Sequence, residues 1–249
     1  MFIGIDLGTS GVKVILTNAD GGLVDSASTR LELSLPHPMW SEQNPHDWWD
    51  ATCECLDSLS KENDLAGVKA IGLAGQMHGA TLLDNGGNVL RPAILWNDGR
   101  CEEECRMLTE STPSVTDITG NLVMPGFTAP KLLWVKKHEP DIFKRISKVL
   151  LPKDYLRYRL SGDYASDMSD AAGTIWLDVG KRDWSDTLLN ACGPTRNHMP
   201  ALFEGNQITG SLLPSLCQRW GMSSSVAMVA GAGDNAAGAV GCGIINPGQ

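Results

Sequence analysis

The residues best suited to chemistry lie near the two ends of the chain. Close to the start, Phe2-Ile-Gly-Ile-Asp6-Leu-Gly8-Thr9-Ser10-Gly11-Val-Lys13 runs an apolar segment into a carboxylate. A tight turn of glycines and hydroxyls follows, and then a second β-branched run. Such a turn lets successive backbone N–H groups converge on phosphate oxygens, with the Thr9 and Ser10 hydroxyls as further donors. Asp6, at the strand end, is placed to hold Mg²⁺ through water without colliding with the phosphate. The spacing is neither G-x-x-x-x-G-K-S/T nor G-x-G-x-x-G, which excludes the common phosphate-loop and dinucleotide motifs. The same residues also suit an ordinary hairpin turn with an exposed Asp. Lys13 stands about 7 Å past Gly11 along the second strand, within reach of a phosphate or of solvent alone.

At the other end, Val229-Ala-Gly231-Ala-Gly233-Asp234-Asn235 is an apolar strand end, a glycine turn and an Asp-Asn pair opening a small-residue helix. A carboxylate there projects from a sheet edge, where the helix dipole favours its ionised form. It can take a proton from a hydroxyl, or simply cap the helix. Asn235 can both donate to and accept from a hydroxyl, or sit exposed in the first turn. Midway, Gly75-Gln76-Met77-His78-Gly79 places an amide, a thioether and an imidazole between glycines that permit close backbone approach. Trp96-Asn97-Asp98-Gly99-Arg100 follows an apolar strand. Its Asp98 and Arg100 can bind hydroxyls or pair with each other. Lys153-Asp154 and Ser166-Asp167-Met168-Ser169-Asp170 are further polar loops.

These residues need elements to position them. Residues 2–33 read as three strands, with Asn18-Ala-Asp20-Gly21-Gly22 turning between the second and third. Residues 45–62 read as a helix with Asn44 as N-cap, Pro45 at its first position and Trp48, Cys55, Leu56 and Leu59 on its apolar face. An apolar strand follows at 68–75. Residues 80–83 and 89–95, joined by Asp84-Asn85-Gly86-Gly87, read as a second hairpin echoing the first. Residues 98–160 look mainly helical, with one helix opening at Thr128 and Pro130 and another at Pro152 and Asp154. Residues 163–205 are loop-rich, with a short strand at 174–178 and a helix at 184–192. A helix at 212–220, a strand at 226–231 and a helix at 234–242 complete the chain. Strands first, then alternating helix and strand, fit an α/β fold with an insertion.

The 249 residues are ample for a sizeable core and allow one large domain or two small ones. A net charge of -9 argues against nucleic acid or an anionic membrane as the main partner. An acidic chain that binds phosphate must rely on local donors and a metal. No apolar stretch approaches a membrane span, and the first residues form a strand rather than a signal peptide. The cysteines are seven and scattered, which suits reduced thiols in a cytoplasmic protein. Cys101 and Cys105 could share a helix face as metal ligands, but no second pair accompanies them. Eight Trp stand against four Phe. Trp48, Trp49 and Trp134 fall on helix faces and read as core, although sugar sites also stack on Trp.

The first motif resembles the phosphate motif of the actin-like ATPase superfamily. The 229–241 motif is similar to the catalytic-aspartate segment of the FGGY family of carbohydrate kinases. Residues 75–79, 96–100 and Ser166 to Thr174 resemble the branch of that family whose sugar is D-xylulose. The resemblance runs along the whole chain and implies a ribonuclease-H-like (actin-like ATPase superfamily) α/β lobe with an inserted sugar-facing region. Residues 1–249 would be the N-terminal domain, with the C-terminal nucleotide-binding lobe absent from this chain.

The implied activity is transfer of a phosphoryl group from ATP to D-xylulose with Mg²⁺. Ribulose, gluconate or glycerol are alternative substrates, and an isolated, non-catalytic sugar-binding lobe is the rival from another class. The resemblance makes Asp234 the base and Asp6 the metal-linked carboxylate. Gly8, Thr9, Ser10, Gly11 and Lys13 would receive phosphate, and Gln76, Met77, His78, Trp96, Asn97, Asp98, Arg100 and Asn235 would bind sugar. A second copy of the chain, as a homodimer, is a candidate partner.

Overall fold

The computed structural model describes residues 1–246 and 248, so positions 247 and 249 of the expected domain lie outside the described residues. The chain opens with the antiparallel ribbon β1 (Phe2–Leu7), β2 (Gly11–Thr17) and β3 (Leu23–Arg30). Alternation along these strands turns Ile3, Ile5, Leu7, Val12, Val14 and Leu16 to one face, where all are buried. After β4 (Glu42–Gln43) comes α1 (Pro45–Glu62), whose Asn44 cap accepts from the His46 amide and whose Trp48, Leu56 and Leu59 seal that face. The expected helix and its apolar positions are found as read.

β5 (Ala70–Gly75) is followed by β6 (Thr81–Leu83), β7 (Ala93–Ile94), α2 (Glu102–Ser111), α3 (Val115–Thr119), α4 (Thr128–His138) and α5 (Pro140–Phe143). Next come β8 (Lys148–Leu150), α6 (Pro152–Ser161), β9 (Ala165–Asp167), α7 (Met168–Ala171), β10 (Leu177–Asp178), β11 (Asp183–Trp184) and α8 (Asp186–Cys192). β12 (Ala201–Phe203), β13 (Ile208–Ser211), α9 (Pro214–Trp220), β14 (Ala227–Gly233) and α10 (Asp234–Gly241) end the described elements.

The main sheet has the order β13-β14-β5-β1-β2-β3. β1, β5 and β14 run parallel, so the C-terminal ends of all three strands, carrying Asp6, Gly75 and Gly233, emerge on one edge. That convergence is what positions the site. The covered face continues through Ile71, Leu73, Tyr155, Leu156, Leu160 and Trp220 into one core. A second core, including Leu132, Trp134, Val149, Trp176 and Leu188, holds the region between β5 and β13. It corresponds to the expected insertion. No helix among the described residues is long and apolar enough to cross a membrane.

Several local expectations are corrected. The second hairpin forms only in part. Its two segments bridge at Leu83–Val89 and at Ala80–Ile94 and share the Leu90 N to Leu82 O bond, but the continuous pairing of β6 is with β8, and that of β7 is with β4. Pro92, without an N–H, interrupts the ladder there, and Arg91 turns inward to pair with Glu42. The strand expected at 174–178 shrinks to β10, because Ile175 adopts a left-handed backbone (φ 67°). The helix expected from 184 begins at Asp186, since Trp184 is held in β11 and Ser185 caps through Leu188 N. β8 inside the helical stretch, β9 and β12 inside the loop-rich stretch, and the edge strand β13 are additional. Three- and four-residue strands carry too few alternations to register in a sequence.

Candidate active site

The β1–β2 turn closes through Gly8 N to Gly11 O at 3.0 Å, and β3 is tied to it by Leu31 N to Ser10 O. Gly11 is required by packing, since a Cβ there would meet Thr29 O at 2.7 Å. Neither Gly8 nor Gly11 has a left-handed backbone. Ser10 is exposed at the tip, whereas the Thr9 hydroxyl is engaged sideways. It donates to Gln76 Oε1 at 3.2 Å and accepts from the Trp96 indole at 2.9 Å. Gln43, which sequence reasoning missed, completes this network. Its Nε2 donates to Thr9 O at 2.7 Å, while its Oε1 accepts from Trp48 Nε1 and Gln76 Nε2. A lone Gln beside a two-residue strand gives no spacing signal. Gln76 is 2% exposed with both ends of its amide engaged, so it braces the turn instead of offering itself to a ligand.

Asp6 projects from the end of β1 into an open cleft of about 740 Å³, lined also by Lys13, Gly72, Ala74, Gly231 and Ala232. Partial burial, and then the charge of Asp234, push the Asp6 carboxyl above its ordinary range, with Lys13 opposing. Two carboxylates therefore stand near each other at this strand edge, the setting in which a cation is stabilising. Among the described residues no group of three or more His, Cys, Asp and Glu could hold a metal, and Cys101 and Cys105 are buried thiols. A divalent cation here would rest on Asp6 with phosphate oxygens and water, a donor set that fits Mg²⁺.

The Gly75–Gly79 segment leaves β5 and turns sharply. Gly79 N donates to Met77 O at 2.9 Å, which closes a three-residue turn around His78 with φ at 68°. His78 Nδ1 lies 2.9 Å from Gly173 O. A carbonyl only accepts, so Nδ1 carries the proton and Nε2 is left as an acceptor. Burial holds the imidazole pKa below its usual value, and nearby Lys131 adds to this. Met77 lies against Gly233, where a Cβ would meet its Sδ at 3.0 Å, and His78 lies against Gly173.

Gly233 directly precedes Asp234. β14 slips its register against β5 between Val229 and Ala232, and Gly231 bulges with φ at 74°. A Cβ on Gly231 would stand 1.8 Å from Leu73 O, so only glycine fits. The backbone groups freed by the bulge are gathered by buried side chains. Arg157 donates to Val229 O and Ala230 O, and Gly233 N reaches Ser169 Oγ, which itself donates to Asp167. Behind them, Lys153 pairs with Asp154, Asp167 and Asp170 at 2.7, 2.8 and 3.1 Å. Burial works against the Lys153 charge, but the three carboxylates outweigh it and raise its pKa. Burial pushes Asp170 up to about 7.

Asp234 itself is exposed at the first helical position of α10, not at the cap, which is Gly233. Its Oδ1 accepts from Asn235 N at 2.8 Å. Asn97 and Asn235 are also exposed. The open alternative at Asp98 and Arg100 closes in favour of the ion pair. Arg100 bonds both Asp98 oxygens, pairs with Glu42 at 2.7 Å and stacks on Trp40, with side-chain exposure near zero. Their polar groups are engaged with each other and with Ser41 and Glu42, the structural alternative to the sugar contact implied for Asp98 and Arg100.

Residues 1–241 match the family model described as the FGGY family of carbohydrate kinases, N-terminal domain. The chain belongs to that family. This FGGY domain is 62% identical to the xylulose kinase of Escherichia coli (strain K12) over 249 residues, 100% of this chain and 51% of that protein. Its structure is similar to that of xylulose kinase from Rhodospirillum rubrum, with TM-score 0.94, 30% identity, and coverage of 99% of this chain and 51% of the other. Gluconate kinase from Lactobacillus acidophilus gives TM-score 0.88 at 25% identity, covering 94% of this chain and 48% of that one. The FGGY domain thus spans about half the length of the relatives it matches. Backbone likeness alone does not separate the sugars, so the substrate must be argued from side chains.

Proposed function

We propose that residues 1–249 form the sugar-binding and proton-accepting half of an ATP-dependent D-xylulose kinase. The observation that supports this reading most directly is the packing of Met77 against Gly233, which sets the 77–78 turn beside Asp234 at the shared strand edge. A sugar lying on Met77 would bring its terminal hydroxyl to Asp234. That carboxylate accepts the proton as the oxygen attacks the γ-phosphoryl group in line, a contribution of about 10²–10⁴-fold. His78 Nε2 accepts from a second hydroxyl, and Asn235 bonds a third. The Gly8–Gly11 backbone and Ser10 receive the phosphate, and Lys13 supplies positive charge. Mg²⁺, when bound beside Asp6, neutralises charge on the transferring group. The adenosine contacts belong to residues outside 1–249, in keeping with relatives about twice as long. Similarity to a xylulose kinase at 62% identity favours xylulose over gluconate or glycerol.

The test is Asp234→Asn in a full-length kinase carrying these residues. Turnover should fall at least about 100-fold while calorimetric D-xylulose binding persists. Near-wild-type turnover would remove Asp234 from the role of base. In the same calorimeter, stronger binding of gluconate or glycerol than of D-xylulose would move the substrate to another carbohydrate.

A further inference from the structure

The mechanism above makes no use of one buried amine that lacks a carboxylate partner. Lys131, on α4, is 0% exposed, yet makes no ion pair among the described residues. Burial draws its pKa down to about 7. A fully buried amine without a carboxylate partner is unfavourable for stability, and a methionine would fill the same space without that cost. What Lys131 does contact is backbone. Nζ donates to His78 O at 3.0 Å and to Gly126 O. The hydroxyl of Thr128, one turn earlier on the same helix, donates to that same His78 oxygen at 3.1 Å.

His78 is the residue held in a left-handed, three-residue turn, a conformation that is unfavourable for a residue with a Cβ. Its carbonyl direction fixes the turn, and the turn fixes where the imidazole and Met77 stand. We infer that Lys131 and Thr128 are positioning residues for the sugar site, a two-donor clamp that keeps His78 in its strained turn. They touch no substrate. The inference rests on the reading of 77–78 as the sugar turn. It accounts for a buried cation that packing alone would exclude, and for two donors converging on one carbonyl.

The experiment uses Lys131→Met, Lys131→Gln, Thr128→Val and Thr128→Ser in a full-length kinase carrying these residues. Loss of a charge-assisted bond in a buried place predicts a rise of about tenfold or more in the D-xylulose KM for Lys131→Met. The KM for ATP should stay within about twofold and kcat within about threefold, since the clamp acts on sugar placement alone. Glutamine, which can still donate to the carbonyl, should recover most of the affinity, and Thr128→Ser should do so where Thr128→Val does not. If Lys131→Met fails to fold, the Thr128 pair decides. Equal effects of the donating and non-donating variants, or a parallel rise in the KM for ATP, would overturn the clamp. His78→Ala serves as the separate control. A loss of sugar binding there with no effect at Lys131 or Thr128 would sink only the clamp, whereas no loss at His78 would sink the sugar-turn reading itself.

Discussion

His78 holds two unfavourable states together, a left-handed backbone and a ring kept neutral by burial. The second has a measurable sign. The folded pKa lies below the ordinary 6.5, so the unfolded chain takes up a proton first as pH falls. His78 therefore contributes stability above that pH which is lost on acidification through its folded pKa. Denaturation midpoints followed from about pH 7.5 to about pH 5 should drop, and drop less steeply in His78→Gln. Identical slopes would show that other groups carry the effect. At this scale Asp6, Asp234 and the 77–78 pair stood out in the sequence because glycines and strand ends flank them. Gln43 and Lys131 did not. Each is a single polar residue without a motif around it, and only the fold shows that Gln43 reaches the Gly8–Gly11 turn and Lys131 the 77–78 turn. Asp98 and Arg100 were visible but ambiguous, since two residues of opposite charge at that spacing serve a ligand or each other equally well.

Among the elements, β14 carries the sharpest constraint. Its bulge is a local irregularity just ahead of Asp234, and it depends on Gly231. Gly231→Ala should cost about 2–4 kcal/mol, a strained backbone added to an overfilled contact with Leu73 O. Chemical denaturation would measure it, and an unchanged midpoint would mean the bulge relaxes freely. The long elements were legible for good physical reasons. α1 announces itself by cap, proline and apolar spacing, and β1 and β2 by alternation around a glycine turn. The bulge was not legible, because a glycine pair before an aspartate also describes a plain turn. The second hairpin was legible only in part. Its glycine turn and the bridges at its two ends form, but Pro92 breaks the ladder between them, and the continuous partner of β6 is β8, distant in the chain and unannounced by local spacing.

The whole molecule divides its apolar residues into two cores, one under the main sheet and one within the insertion. The cleft lies open over the face of β2, β1 and β5 opposite the core, with α10 along one side. Phosphoryl transfer gains most from fixing both reactants away from water, with effective molarities of about 10⁵–10⁸ M at stake. Residues 1–249 alone should accordingly bind D-xylulose weakly and show negligible kinase activity. Steady turnover by the purified chain, abolished by Asp234→Asn, would contradict this and place a nucleotide site within these residues. The eight Trp residues bear on how such events can be watched. Those in the two cores are shielded, whereas Trp96 is 49% exposed with its indole on the hydroxyl of Thr9 in the phosphate turn. The molecule therefore carries its own fluorophore on the Gly8–Gly11 turn. Under the phosphate role proposed for that turn, nucleotide binding should shift the iodide-accessible emission, and Trp96→Phe should remove the shift, a control that sets aside the half-buried Trp40 and Trp49.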